Sequence, residues 1–405
     1  MNKTPPKQKN KDKSALKRLG ITFAVFSALL IIMIILRQFY PVAMFLHRTL
    51  SLGFNFLFAN IVNIIPFSVF EIFVYFAIVF VLTCIVLSIV FLAKKKHLKA
   101  LRSFLAVFLA AIITVTTFFM SSGFSYAQKV SPAPIYSGDI SLADFKRITT
   151  HFLDDFNYLA ANLDRNENGS VIQPYTDKEL SNMLNDKFND ANLNGLFRHN
   201  TQAKVFRSSR LMSEFGVAGV FFPPLSEANI NALLPASSRP FVMAHEIAHA
   251  RGVMREDFAN EAAWYVTLNS DSDFIRYSGY MSAFNALVWG FWQFGEYDLV
   301  NEFFNKLHEN IEIERQNNTT HWLQFHRISH ITNWVNDLFL RIMGQEDGTG
   351  AYTPDFDYDE EYATDPDTGE VIINPDTGKP EIIRIPEFNT LQKTFFYIYK
   401  NRPVQ

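Results

Sequence analysis

Three apolar runs in the first third of the chain limit its fold more than any other feature. They extend from about Leu19 to Ile35, from about Phe70 to Ala93 and from about Phe104 to Phe124. A helix needs about 20 apolar residues to cross a bilayer, and each run comes close to that length. Lipid offers no hydrogen-bond partners, so a spanning segment must satisfy its own backbone, which makes these runs helices. The first run is longer than a signal-peptide core and no small-x-small cleavage site follows it, so an uncleaved anchor is expected.

Flanking charges set the expected orientation. Lys3, Lys7, Lys9, Lys11, Lys13, Lys17 and Arg18 precede the first run; Lys94, Lys95, Lys96, Lys99 and Arg102 separate the second from the third. Positive residues stay inside, so both groups should be cytoplasmic. The reading is a basic cytoplasmic tail (1–18), a membrane region with three transmembrane helices (19–124) and an extracytoplasmic remainder. The lipid bilayer is thus an expected partner, in a multi-pass protein of the cell membrane. The tail is expected to be disordered. The outer loop between the first two spans carries Phe45, Leu46, Leu50, Phe54, Leu57, Phe58 and Ile61. It reads as an amphipathic helix on the membrane surface, ended near Pro66, with a fourth, re-entrant segment as the alternative. Cys84 and Glu71 are the only candidate ionisable groups in the spans, which gives little support to a transporter or channel.

The near-neutral total, 37 basic against 40 acidic residues, hides an asymmetry. Residues 1–124 hold 14 of the basic residues and only Asp12 and Glu71 among the acids, so the rest carries 23 basic against 38 acidic. Phosphate binding needs clustered Lys and Arg, so the acidic remainder argues against nucleic acid as a partner. With Cys84 alone, no intrachain disulfide is possible.

Beyond the spans, Phe145, Ile148, Phe152, Phe156 and Leu159 recur at helical spacing within 139–163, and a second helix should follow Thr176. Short strands are expected at Lys204–Phe206 and Val217–Phe222, the latter stopped by Pro223 and Pro224. Ser226 to Leu233 reads as a turn leading into another extended piece. Ser237 or Ser238 can cap a helix that Pro240 starts and Gly252 ends. A further helix should start near Arg255, with others at about 278–297, 299–314 and 320–343. The acidic stretch after Tyr352 holds two turn signals, at Asp365–Gly369 and Asn374–Gly378, beside β-prone runs. It reads as an exposed hairpin excursion (353–405 with the C-terminal segment), separate from a domain at 125–352.

The helix from Pro240 carries His245-Glu246-Ile247-Ala248-His249. Histidines four apart share one helix face and can reach one metal ion; the intervening glutamate lies beside it as a general base. A catalytic zinc ion takes three protein ligands and keeps one position for water, so a third ligand is needed besides His245 and His249. Arg255 occupies the place of the third histidine in the H-E-x-x-H-x-x-G-x-x-H pattern, which excludes that class. Glu256 is the leading third ligand, with Glu261 and Asp257 as alternatives, and Asn260 could bond a ligand histidine. Arg276, Tyr277 and Tyr280 are candidate oxyanion donors. Against this stands the plain reading of two structural histidines on a buried helix, but two His and a Glu on an apolar helix are costly to bury without partners. His326 and His330 repeat the spacing without an acid between them, which fits an ordinary amphipathic helix.

With these residues in place the chain resembles a domain-of-unknown-function family of bacterial membrane proteins with a zinc-peptidase motif. The likeness rests on Ile65–Ser68, Gly219–Pro224, Ser226–Asn231, Pro240–Gly252, Arg255–Asn260, Phe274–Tyr280, Asn336-Asp337 and Gly348–Tyr352. Family members commonly read H-E-L-A-H-Q-R-G and R-E-D-E-A-N; here Ala250 replaces Gln, and Phe258, which cannot bind metal, replaces the second Glu. The resemblance implies a mainly α chain: three transmembrane helices followed by a zincin-like α+β extracytoplasmic domain. The activity expected is that of a Zn2+ metallopeptidase acting on a peptide or protein substrate, with His245, His249 and Glu256 on the metal. Glu246 would be the base, assisted by Arg276 and Tyr277. The alternative is a non-catalytic membrane protein that keeps a structural metal or an inactive site and binds envelope partners. The oligomeric state is not set by the sequence.

Overall fold

The computed structural model describes residues 6–400 except 192, 197, 326–328, 353–356, 366–367, 376, 378 and 389. Helix α1 (Pro6–Arg37) takes in both the basic tail and the first apolar run. The tail expected to be disordered is therefore helical from Pro6, while residues 1–5 lie outside the described residues. Lys, Gln, Ala and Leu are good helix formers, and the apolar run already supplies the costly nucleus. Next come α2 (Tyr40–Leu46), a π-helical turn (His47–Ser51) and α3 (Leu52–Asn63). A hairpin of α4 (Val69–Ala93) and α5 (His97–Phe118) follows, and a second π-helical turn (Phe119–Gly123) extends α5.

Among the described residues four helical segments, not three, are long and apolar enough to cross a membrane: Lys11–Arg37, Tyr40–Asn63, Val69–Ala93 and His97–Gly123. The second joins them because the π turn carries the helix through His47, Arg48 and Ser51 without a break. It differs from the others in being 33% buried, against 6–11%. Its small and polar residues point inward: Ser51 Oγ donates to the Met120 carbonyl at 2.9 Å, and Ser226 Oγ donates to Asn55 Oδ1 at 2.8 Å.

The remainder is mainly helical around a small sheet. Ser141 caps α6 (Leu142–Asn162), and Thr176 with Glu179 forms a reciprocal capping box at α7 (Asp177–Ala191). After β1 (Lys204–Phe206), the short α8 (Ser209–Glu214) leads to β2 (Gly219–Phe222) and β3 (Glu227–Asn231). The order is β1-β3-β2: β1 runs parallel to β3 with Lys204 opposite Asn229, and β2 runs antiparallel with Gly219 opposite Ile230. The stretch from Ser226 to Leu233, expected to be a turn leading into an extended piece, instead itself holds the central strand, buried along its whole length. Helices α9 (Arg239–Ala250), α10 (Glu256–Leu268) and α11 (Asp273–Val288) follow, then α12 (Tyr297–Asn305), α13 (Glu309–Leu323) and α14 (Ser329–Ile342).

The acidic excursion is a hairpin of β4 (Asp357–Tyr362) and β5 (Ile382–Glu387), antiparallel with Tyr362 opposite Ile382. The helix after this hairpin, α15 (Thr390–Lys400), is not an appendage. Its Phe395, Phe396 and Tyr399 are buried in one cluster with Phe145, Phe152, Phe156, Tyr280 and Phe284 of α6 and α11. The boundary expected at 352 therefore fails for 390–400, because aromatic burial binds that helix to the core.

A buried ion pair joins the sheet to the apolar helices. Lys204 Nζ lies 3.0 Å from Glu227 Oε2, with both side chains almost fully buried. Lys204 also donates to the Val62 carbonyl at the end of α3, while Glu227 accepts from Ser68 Oγ and the Val69 and Phe70 N–H groups that start α4. Helix ends leave such groups without partners, so one pair on the sheet satisfies the exit of α3 and the entry of α4.

Candidate metal centre

Pro240 sits in the first turn of α9, and Met243, Ala244, Ile247 and Ala248 are fully buried along it. The helix stops where Gly252 adopts φ +100°, a conformation that costs glycine little. The same glycine has a second reason to lack a side chain: a Cβ there would come within 2.5 Å of Leu52 Cδ2 in α3. Arg251 donates to the carbonyl and Oδ1 of Asn185 and to Asn189 Oδ1, tying the reversal to α7. The chain then re-enters a helix with Arg255 as N-cap, which puts Glu256 in the first turn of α10, facing α9.

The reversal brings His245, His249 and Glu256 together, with one ligand atom of each within 4.8 Å of the others. Glu256 Oε2 lies 3.1 Å from His245 Nε2 and 3.5 Å from His249 Nε2. The far side of each ring is held too. His245 Nδ1 lies 2.9 Å from Asn260 Oδ1, and His249 Nδ1 lies 2.6 Å from the Val253 carbonyl. The acceptors at Nδ1 fix each ring so that its Nε2 is aimed inward at Glu256, and these are the nitrogens that a metal ion would take. Glu246 lies beside them, buried, and its Oε2 has no hydrogen-bond partner. Strand β2 approaches it so closely that a Cβ on Gly219 would sit 2.5 Å from Glu246 Oε1.

Charges follow this packing. Burial pushes the Glu246 carboxyl up to about 7, against the pull of His245, His249 and the Phe221 N–H. At His249 burial disfavours the charged ring, but Glu256 and Glu246 outweigh it and raise the group to about 9. Glu256 is also buried, yet the two imidazoles hold it well below the usual carboxylate range. Two imidazole nitrogens and a carboxylate, with the unpaired buried oxygen of Glu246 beside them, fit a zinc-type divalent ion.

Of the alternatives, Glu261 turns away and accepts from Ser131 Oγ, and Asp257 pairs with Arg255 at 2.6 Å. Neither reaches the histidines, because they fall on other faces of α10. The candidate oxyanion donors fail in the same way. Arg276 pairs with Asp273 of its own helix. Tyr277 is fully buried in the aromatic core; it accepts from Arg165 at 3.1 Å, and burial pushes it up to about 12. The Tyr280 hydroxyl donates to Asp155. The pair His326 and His330 cannot be described, since His326 lies outside the described residues. Sequence reasoning missed Tyr126, a buried phenol held above its usual value by burial and by the charge of Glu256. It also missed Gln345, whose Oε1 accepts the Glu256 N–H at 3.4 Å. No motif marks either residue.

No curated protein and no solved structure matches the chain. Residues 47–355 match a family described as Protein of unknown function (DUF3810). That stretch takes in the sheet, the histidine helix and α14, well over half of the sequence, so the chain belongs to the DUF3810 family.

Proposed function

We propose that this protein is a membrane-anchored, zinc-dependent metallopeptidase. The observation that carries the reading is the convergence of His245, His249 and Glu256 beside the unpaired carboxylate oxygen of Glu246. When bound, zinc supplies a Lewis acid and lowers the pKa of a water toward about 7. His245, His249 and Glu256 would hold it, with Asn260 and Val253 fixing the rings. Glu246, whose buried Oε2 has no hydrogen-bond partner, would take the proton of the attacking water and return it to the leaving amine. The Phe221 N–H holds the Glu246 carboxylate, and β2, paired only to β3 in its sheet, offers an edge on which an extended peptide can lie.

The membrane reading draws on the four apolar segments. With Lys94, Lys95 and Lys96 on the same side as the N-terminal tail, an odd number of crossings places the domain outside. The Tyr40–Asn63 segment is the one to leave out, since it is bonded along its length. Besides Ser51 and Asn55, Asn63 donates to the Asn200 carbonyl and accepts from the Gln202 N–H.

The competing reading is a structural metal, which has no use for Glu246. Glu246→Gln should keep one zinc per chain and lose peptide hydrolysis by on the order of 10²–10⁴-fold, while His245→Ala should lose both. Metal content of the purified protein and turnover of a peptide library test this together. Full hydrolysis by Glu246→Gln would remove the peptidase claim, and a zinc content near zero would sink both readings.

A further inference from the structure

Helix α14 is built inside out for a helix in water. Ile331, Trp334, Val335, Leu338 and Ile342 recur at spacings of three, one, three and four, so they form a single stripe. The stripe faces outward: Trp334 is 67% exposed and Ile342 68%. Leu340, on the opposite side, is 1% exposed and packs among Met33, Phe119 and Tyr126. Asp337 and Arg341 pair along the flank at 2.8 Å. An apolar stripe of this size left open on a surface marks a partner.

The position of α14 names that partner. Phe339 meets Phe118 of α5 edge to face, with ring centroids 5.6 Å apart, and also meets Tyr126. Arg37, the last residue of α1, donates to the Met343 carbonyl just past the end of α14. The helix therefore lies beside the ends of two candidate spans, at the level where they leave the bilayer. The Tyr40–Asn63 segment shows the same inversion nearby: Ser51, Asn55 and Ala59 are buried, while Phe45, Leu57 and Ile61 are exposed.

We propose that the exposed stripe of α14 is a membrane-docking surface lying at the boundary between headgroups and acyl chains, with Trp334 as its interfacial anchor. The bilayer is the occupant because the stripe continues the apolar surface of the spans it touches. Docking also fixes the segment that ends in Gln345, which bonds the first turn of the helix carrying Glu256. The inference rests on the membrane reading above and not on peptidase activity.

The test uses the full chain with Cys84→Ser in lipid nanodiscs, some of the lipid carrying a nitroxide near the headgroup or deep in the acyl chain. Single cysteines replace Val335, Leu338, Asn333 or, as a control within α4, Val79, and each carries an environment-sensitive fluorophore. Headgroup-level nitroxide should quench the labels at Val335→Cys and Leu338→Cys at least about two-fold more than at Asn333→Cys. Deep nitroxide should quench Val79→Cys. Equal, weak quenching at 333, 335 and 338 with a quenched α4 label would overturn the docking surface alone. Loss of quenching at Val79→Cys as well would take the membrane reading down with it. Disulfide cross-linking between two copies of Val335→Cys, without lipid quenching, would assign the stripe to a second copy instead.

Discussion

At the residue scale, the centre depends as much on where a side chain is missing as on its acids and imidazoles. A methyl group on Gly219 would overlap Glu246 Oε1 at 2.5 Å and Cγ at 2.8 Å. The overlap falls on the flexible end of a side chain, so the fold gives way cheaply and the carboxylate moves instead. On the proposed function, Gly219→Ala should therefore still bind zinc and keep most of its stability. A displacement of about 1 Å at a catalytic group can cost on the order of 10² in rate, and kcat should fall by that amount. Zinc content, thermal unfolding and turnover measured on one preparation check this; unchanged turnover would show that Glu246 does not act where β2 holds it. The histidines and Glu256 were legible because helical spacing fixes which residues share a face, and Gly252 marks where the chain turns back. Arg276 and Tyr277 misled because nearness in sequence says nothing about direction: one pairs with Asp273 and the other points at Arg165.

At the element scale, helical spacing made α6 readable and α7 follows Thr176 as expected, whereas the helices expected at 278–297, 299–314 and 320–343 break elsewhere, into α11 to α14. The joints were not readable. His47, Arg48, Ser51 and Asn55 look like breaks in an apolar run, yet Ser51 and Asn55 satisfy partners across the interface and the helix continues. Lys204 and Glu227 are likewise single charges in short strands, and nothing local says that they meet or that they close the α3–α4 turn. The pair makes a strong prediction. Glu227→Gln leaves the Lys204 ammonium buried without its counter-charge and weakens the acceptor at the start of α4. Breaking a buried pair on one side costs about 3–5 kcal/mol, so the variant should unfold at markedly lower denaturant concentration in detergent. A double Lys204→Met/Glu227→Gln variant should recover part of that loss. A single variant as stable as the parent would show that the pair is not what joins the sheet to the helices.

At the scale of the whole molecule, Glu261 joins parts that are far apart in sequence. It accepts from Ser131, just after the apolar helices, and from Thr390 at the start of α15, whose aromatic residues complete the core. That closure was hidden in the sequence because α15 follows an acidic hairpin and looks like part of the same tail. Burial raises Glu261 to about 8 from an ordinary value of 4.5. Between those values the folded chain holds a proton that the unfolded chain has released. Stability from this group is therefore complete below the unfolded value and declines as pH rises, by at most about 1.4 kcal/mol per pH unit, until it levels off above about 8. Glu261→Gln keeps the shape of the side chain and cannot ionise. The stability of the variant relative to the parent should thus grow steadily as unfolding is measured from pH 5 to pH 8. Taking the difference between the two proteins cancels the opposite trend from depressed acids such as Glu256, whose contribution is lost only as pH falls. A difference that stays flat across that range would mean that Glu261 is charged in the folded protein, and that Ser131 and Thr390 meet a carboxylate there and not a carboxylic acid.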